Sequence, residues 1–246
     1  MDSNIVDIKP IKLFFSYSIN DKKIVGLLKK DLKFMGFDVF LAHDDIEPSV
    51  EWQEEIIKNL KDCDIFITIL TDGFKDSEWT DQETGIAIAT DKFIIPLQLD
   101  FPPYGFIKKK QSLNNKCTSL LRDADESQVK AAIRCTAIYI VIVINNKSKF
   151  GVDMKSFIVN NLIHSENYNQ ANARASLLDF LADFTPDQVL KIFNGTKENR
   201  QIQKAYTAKA ELQKFFEKYQ GSLTPEKYNE IIKLLNSNST KNLSKD

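Results

Sequence analysis

The chain has 246 residues, enough for one large domain or two small ones, and its 43% hydrophobic and 27% charged residues are ordinary for a soluble globular protein. A net charge of -1 gives no indication of nucleic acid or an anionic membrane as a partner. The longest apolar run, residues 137–144, is much shorter than the roughly 20 residues that span a bilayer, and the first residues lack a signal-peptide pattern. We therefore expect a cytoplasmic protein that binds neither nucleic acid nor membrane.

The first hundred residues alternate between short apolar strands and amphipathic helices. Strands are predicted at 11–17, 37–41, 65–70 and 92–99, and helices at 21–35, 52–60 and around residue 83. Gly36 is expected to end the first helix, and Pro96 indicates that the last strand lies near an edge. Residues 65–70 are apolar without alternation, as expected when both faces of a strand are covered. The fold class predicted is therefore α/β, a flavodoxin-like parallel sheet flanked by helices.

The pattern is weaker after residue 100. Lys108, Lys109 and Lys110 are expected in a solvated loop, with a phosphate contact as the alternative. Residues 126–144 are predicted to form a closing helix, although the β-branched residues of 138–144 leave a strand as the alternative. Residues 145–152 have the composition of a linker. The domains are thus predicted at 8–146 and 153–236.

The region 153–236 is predicted to be a small C-terminal α-helical bundle of about four helices. Thr185-Pro-Asp-Gln188 is a strong helix start, which Thr224-Pro225 repeats, and Gly195 is expected to end the helix that begins at Thr185. Residues 200–219 are predicted to form one amphipathic helix, and 237–246 a disordered tail. The bundle has no catalytic signature; contact with the first domain, self-assembly, recognition of a trigger and passive stabilisation are all open.

Three cysteines, Cys63, Cys117 and Cys135, are too few and too scattered to predict a disulfide framework, and they favour a reducing compartment. Cys63 stands between Asp62 and Asp64, whose charges are expected to raise the thiol pKa, which indicates a structural residue. Residues His43 and His164 lie too far apart in sequence to suggest a metal site. The acidic residues near 44–47 are more simply explained as solvated than as cation ligands.

One carboxylate is placed unusually. Trp79, Glu83, Ile86 and Ala87 are spaced four, seven and eight residues along a predicted helix and so share one stripe. Burial on an apolar stripe disfavours the charged form of a carboxyl group. Glu83 is therefore a candidate functional residue, and the bland alternative is an ordinary helix glutamate in a salt bridge.

Several motifs follow one another along the chain. Phe14-Phe-Ser-Tyr17 is followed by Asp21, and Asp44-Asp-Ile-Glu-Pro-Ser49 precedes Trp52. Residues 62–67 and Ile95-Pro96 belong to later strands, and Trp79 is followed four residues later by Glu83. In this order the motifs resemble those of a Toll/interleukin-1 receptor (TIR) domain of the bacterial kind: its opening strand and helix, its BB loop, its later strands and, in the Trp-to-Glu spacing, its catalytic motif. Ser49 replaces a glycine that is frequent in the BB loop.

This resemblance implies that Glu83 is catalytic and that the chain cleaves the nicotinamide–ribose bond of NAD. NAD is then the substrate, with no cofactor and no metal, and the products are nicotinamide and linear, cyclic or conjugated ADP-ribose. One carboxylate is enough, because nicotinamide leaves as a neutral molecule and needs no proton donor, whereas ordinary glycoside hydrolases use two carboxyl groups. The carboxylate instead stabilises the positive charge that develops on the ribose.

The residues expected to bind the nucleotide follow from the same resemblance. They are Ser16, Tyr17 and Ser18 at the end of the first strand, Asp45 in the BB loop, and the indole rings of Trp52 and Trp79, for which core packing is the alternative. The family further implies self-association through the TIR domain, an antiphage-defence role and a possible downstream effector protein. The rival hypotheses are a non-catalytic TIR scaffold for protein assembly and a flavodoxin-like regulatory domain, for which no suitable lysine is found.

Overall fold

A computed structural model describes residues 10–41, 52–123, 125–146 and 153–237. The chain divides into two compact units. Among the described residues, the first unit contains 10–33 and 37–141, and the second contains 34–36 and 142–237. The division falls inside a long helix, and the domain limits predicted at 8–146 and 153–236 stay predictions.

The first unit is built on a four-stranded parallel sheet. Its strands are β1 (Lys12–Ser16), β2 (Asp38–Leu41), β3 (Ile65–Leu70) and β4 (Phe93–Gln98), in the order β2-β1-β3-β4. Ser16 is in register with Thr68, and Thr68 with Pro96. The predicted α/β fold is confirmed, and Pro96 lies on an edge strand of this sheet as its ring requires.

Helices connect and cover these strands. They are α1 (Lys22–Met35), α2 (Trp52–Asp62), α3 (Asp72–Lys75), α4 (Glu78–Ala89), α5 (Lys116–Asp123) and α6 (Glu126–Asn145), with 3-10 turns at Ile19–Asp21 and Gly105–Ile107. Gly36 follows α1 with φ at +107°, a conformation that side chains with a Cβ rarely adopt, so the predicted stop is confirmed.

A hydrophobic core lies where α2 and α4 meet one face of the sheet. Phe14, Phe66 and Leu70 from the strands pack in one cluster with Ile56 and Ala87 from the helices. Residues of the strands that alternate with these, such as Leu13 and Phe15, are buried as well. Both faces of the sheet are therefore covered, which is why its strands show no alternation of polar and apolar residues.

Residues 138–144 lie in the helix α6, so the predicted closing helix is confirmed and the alternative of a strand is wrong. The buried residues of α6, among them Ile133, Ala137 and Val141, recur at helical spacing. By length and composition, residues Ser127–Asn145 are also suited to cross a membrane, with a mean hydropathy of 1.6. A buried core helix passes the same test, and close to half of this segment is buried within the protein.

The expectation about the cysteines is wrong in one respect. Cys117 of α5 and Cys135 of α6 are joined by a disulfide. Eighteen residues separate them in sequence, so spacing alone gave no sign that the two helices bring them together. Cys63 is free and buried, and burial raises its thiol pKa to about 11, with the neighbouring aspartates adding to the shift. Its interpretation as a structural residue is supported.

The second unit is helical throughout its described part, with six α-helices where about four were predicted. They are α7 (Met154–Ile163), α8 (Tyr168–Ala175), α9 (Pro186–Glu198), α10 (Arg200–Lys204), α11 (Tyr206–Lys218) and α12 (Pro225–Ser237). The capping box of Thr185 and Gln188 forms at the start of α9 as predicted. Helix α12 likewise begins at Pro225.

The single helix predicted over residues 200–219 is interrupted at Ala205. This residue is extended, with ψ at 123°, so α10 ends before it and α11 begins after it. The side-chain oxygen of Asn172 accepts a hydrogen bond from the main-chain N–H of Ala208, which lies in the first turn of α11. A contact from another helix thus satisfies a donor that the break leaves open, and the amphipathic pattern could not show it.

Gly195 does not end its helix, contrary to the prediction, because α9 continues to Glu198. A Cβ built at Gly195 would lie 2.4 Å from Cγ2 of Ile163 and 3.3 Å from its Cα. The glycine therefore allows α7 and α9 to approach closely. The cap is Asn199, whose side-chain amide donates to the main-chain oxygens of Ile163 and Ser165.

Candidate active site

Glu83 lies in the second turn of α4 on the side that faces the protein interior. The buried residues of this helix are Thr80, Glu83, Thr84 and Ala87, at helical spacing. Of the predicted stripe, Glu83 and Ala87 are buried, whereas Trp79 and Ile86 are only half-buried at its margin. The central expectation of a buried carboxyl group on α4 agrees with the structure, since Glu83 is only 5% exposed.

The carboxyl group of Glu83 meets the end of the first strand. Ser16, the last residue of β1, donates a hydrogen bond from Oγ to Oε2 of Glu83 at 2.5 Å. In the strand order β2-β1-β3-β4, the chain adds strands on one side of β1 and then on the other, so the topological switch point lies between β1 and β3. Open parallel sheets bind ligands at such a point, outside the carboxyl ends of their strands. Glu83 and Ser16 thus lie where this type of sheet places its ligand sites.

Burial decides the protonation of Glu83. Desolvation raises its pKa to about 7, and the hydrogen bond from Ser16 opposes that rise by stabilising the charged form. Among the described residues, Ser16 is the donor to this carboxyl group, and its bond is to Oε2 and not to Oε1. The group therefore titrates near neutral pH, and its Oε1 receives no donor from the described residues.

Tyr17 and Ser18 follow Ser16 in the connection to α1. Tyr17 is only 3% exposed, so its ring is held within the protein. The Ser18 hydroxyl accepts a hydrogen bond from the main-chain N–H of Asn20. It packs so closely on Gly73 that a Cβ built there would lie 2.6 Å from Ser18 Oγ. The contacts of Ser18 are thus those of a turn cap, and a nucleotide contact by either residue stays a prediction.

Two residues that the sequence did not mark as site residues hold this edge of the sheet together. Thr71, directly after β3, donates from Oγ1 to the buried carboxylate of Asp21 at 2.6 Å and also caps α3. The bond ties the β1–α1 connection to the β3–α3 connection, and therefore fixes the segment that carries Ser16. The sequence shows a threonine directly after the apolar run of β3, but it gives no sign of its partner Asp21, which lies 50 residues away.

The two tryptophans contact each other. The rings of Trp52 on α2 and Trp79 on α4 pack edge to face, with centroids 4.3 Å apart. Trp52 also packs against the core cluster under these helices. Core packing thus explains much of both side chains, and stacking on a nucleotide ring stays a prediction for the part of each ring that is exposed.

The remaining predicted residues give less information about the site. Asp45 and the BB loop, residues 43–51, lie outside the described residues, as does His43. A cavity of about 230 Å³ is lined by Asp81 and Thr84 of α4 and by Tyr104, which donates to Asp81 at 2.7 Å, and Glu83 is not among its lining residues. Another cavity lies along the exposed side of α2.

Metal-binding and phosphate-binding alternatives gain no support. In the part of the chain that the structure describes, no three His, Cys, Asp or Glu side chains cluster as a metal site would require. His164 is at the end of α7, with Nδ1 2.8 Å from the main-chain oxygen of Asn160. Lys108, Lys109 and Lys110 are exposed, as expected for a solvated loop.

Comparison with known proteins adds a family to this architecture. The parallel sheet with its switch point beside a buried glutamate defines an α/β protein of the flavodoxin-like type. The sequence model for the TIR domain family, TIR_2, matches residues 13–133. Residues 13–133 therefore form a TIR domain.

Among solved structures, the chain is similar to the TIR domain of the Toll-related receptor TRR-2 from Hydra magnipapillata. The two are 17% identical in sequence, with a TM-score of 0.38. The matched part covers 50% of this chain and 97% of the Hydra domain. No curated protein matches the sequence of the chain.

Proposed function

We propose that this protein is an NAD+ glycohydrolase that cleaves the nicotinamide–ribose bond, with Glu83 as its catalytic residue. One observation carries the proposal: a nearly buried carboxyl group is held by Ser16 at the carboxyl edge of a parallel sheet, at its switch point. A group that is desolvated but has a free oxygen is typical of a functional site rather than of a surface salt bridge.

The chemistry follows from the charge of the substrate. The pyridinium ring departs as neutral nicotinamide, taking the bonding electrons of the glycosidic bond, and the ribose carbon becomes cationic. Ionised Glu83 stabilises that cation at short range in a medium of low dielectric constant. Water then attacks the same carbon, and the carboxylate can take up the proton that the water releases. A pKa of about 7 suits this second task at neutral pH.

The protein's role in the cell is a further part of the proposal. By analogy with bacterial TIR enzymes, we place the activity in antiphage defence, with release of ADP-ribose or a cyclic or conjugated signal to an effector. Self-association through the TIR domain would complete the site, so activity should rise with protein concentration. The second candidate is a scaffold that assembles partners without catalysis, which the family match supports equally well.

The deciding experiment incubates concentrated full-length protein with NAD+ and identifies the products by mass spectrometry. We expect nicotinamide release by the wild type and by Glu78→Gln, an exposed glutamate in the first turn of the same helix. Glu83→Gln should lose it, by a factor of about 10³ or more for loss of transition-state charge stabilisation. Equal turnover by wild type and Glu83→Gln would eliminate Glu83, and no turnover at any concentration would leave the scaffold.

A further inference from the structure

One buried hydroxyl near the carboxyl edge of the sheet has no hydrogen-bond partner among the described residues. Thr68 of β3 is 0% exposed, and its Oγ1 makes no hydrogen bond with any described residue. A buried hydroxyl that is left unpaired costs free energy, so most such groups in proteins are bonded. The unpaired hydroxyl of Thr68 is therefore a candidate hydrogen-bond donor in another state of the site.

The sheet places Thr68 on the same side as Ser16. The two residues are in register on the neighbouring strands β1 and β3, which in a sheet run about 4.8 Å apart. Paired residues on parallel strands project from the same face, and Ser16 projects towards Glu83. Phe66 and Leu70, two residues to either side of Thr68, pack in the core under α2 and α4, which confirms that face.

We propose that Thr68 is a second positioning residue for Glu83: once the carboxyl group is ionised, the Thr68 hydroxyl turns to donate a hydrogen bond to it. The proposal rests on the function proposed for Glu83. An ionised carboxylate offers more acceptor sites than the protonated group, while Ser16 supplies one donor to it. With donors from both strands, the carboxylate is fixed in position and its remaining lone pairs face the substrate.

Charged side chains in the described part of the chain do not set the pKa of Glu83. Its pKa is set by desolvation and by the Ser16 hydrogen bond, and no charged side chain among the described residues contributes. The elements that pack most extensively against α4 are α2, α3 and β1, and the strands β3 and β4, which share its core cluster, carry no charged residue. Their charged residues, like those on α4 itself, are exposed or half-exposed, and none bonds Glu83: Lys12, Glu54, Glu55, Lys58, Lys61, Asp62, Asp72, Lys75, Glu78 and Asp81. A hydroxyl donor is therefore the kind of group that can tune this carboxyl.

The test measures the titration of the Glu83 carboxyl carbon by NMR in full-length protein labelled at glutamate, with the signal assigned by Glu83→Gln. Thr68→Val removes the hydroxyl at nearly constant shape, and Thr68→Ser retains it. Thr136→Val is the matched control, since Thr136 is also wholly buried with an unpaired hydroxyl but lies on α6. We expect Thr68→Val to raise the titration midpoint by about one pH unit, the loss of one hydrogen bond to a charged group. Thr68→Ser and Thr136→Val should leave it near the wild-type value.

An unchanged midpoint in Thr68→Val, or an equal rise in Thr136→Val, overturns the proposal. Denaturant unfolding at pH 5 and pH 9 provides a second readout. The stability change caused by Thr68→Val should differ between these pH values in the wild-type background and be the same at both in the Glu83→Gln background. These measurements need no NAD turnover. A raised midpoint without nicotinamide release would therefore retain the positioning role and reject the proposed enzyme, and the reverse result would do the opposite.

Discussion

The Ser16 hydroxyl lies 2.5 Å from the Glu83 carboxyl, although 67 residues separate the two in sequence. Ser16 ends a strand and Glu83 lies in a helix that covers the sheet, so the bond joins two elements at the edge where open parallel sheets in general bind ligands. Because the carboxyl group is buried there, its charge depends on this donor and on pH. Both the activity and the stability of the protein should therefore change with pH.

The first prediction concerns the pH dependence of catalysis. In the proposed reaction ionised Glu83 is the active form, and burial raises its pKa to about 7. We therefore expect kcat/KM for nicotinamide release to rise with pH through about 7 and then level off, because kcat/KM reports the free enzyme. Initial rates at low NAD+ between pH 5 and 9 measure this. A profile that is already flat above pH 5 would show that the carboxyl titrates normally.

The second concerns the donor. Ser16→Ala removes the hydrogen bond that favours the charged form of Glu83, so the pKa of Glu83 should rise further. We expect the rising limb of the rate profile to move upward by about one to two pH units, with most activity recovered at high pH. Ser119→Ala, an exposed serine on α5, is the control and should keep the wild-type profile. A uniform loss at every pH would instead indicate that Ser16 contacts the substrate.

The third concerns stability. Burial raises the pKa of Glu83 in the folded protein to about 7 from its ordinary value of 4.5, so the folded state holds a proton that the unfolded state releases between those values. Its contribution to the free energy of unfolding is complete below about pH 4.5 and is lost as pH rises through about 7. Glu83→Gln cannot titrate. Relative to wild type, it should therefore gain about 3 kcal/mol between pH 4 and pH 8, at about 1.36 kcal/mol per pH unit.

Urea unfolding of both proteins at the two pH values measures that gain. Glu78→Gln, which changes an exposed residue, should show no comparable dependence on pH. If the difference in stability between Glu83→Gln and wild type were the same at pH 4 and pH 8, the carboxyl group would be solvated in the folded protein. The first prediction would then fail as well.

The fourth concerns the second unit. Gly195→Ala puts a Cβ 2.4 Å from the Cγ2 atom of Ile163, a distance that real contacts do not reach, so α7 and α9 must separate. We expect a destabilisation of about 1–3 kcal/mol, as for overpacked cores, measured by thermal or denaturant unfolding. Gly221→Ala is the control, because a Cβ there meets no atom within 4 Å. Equal stability of the two variants would show that the helices adjust without cost.

Local chemistry was enough to predict much of this fold. The apolar run 65–70 coincides with β3, Gly36 ends α1, and the Thr185-Pro start forms its capping box. Each depends on residues close together in the chain, through backbone conformation or hydrogen bonds within one turn. Where a contact between residues far apart in sequence decides the local structure, the prediction was wrong. Gly195 lies inside α9 and allows Ile163 to approach it closely. Ala205 separates α10 from α11, and Asn172 accepts a hydrogen bond from the first turn of α11.

The candidate site divides in the same way. The sequence by itself determined that a carboxyl group at position 83 would lie on the covered side of a helix, because helical spacing is a local property of the chain. Only the tertiary structure decided what that carboxyl meets, since its partner Ser16 lies on a strand far away in sequence. The joining of Cys117 to Cys135 depends likewise on how two helices pack. Burial depth, and with it the pKa of Glu83, is a property of the assembled fold, because desolvation sums over every element around the group.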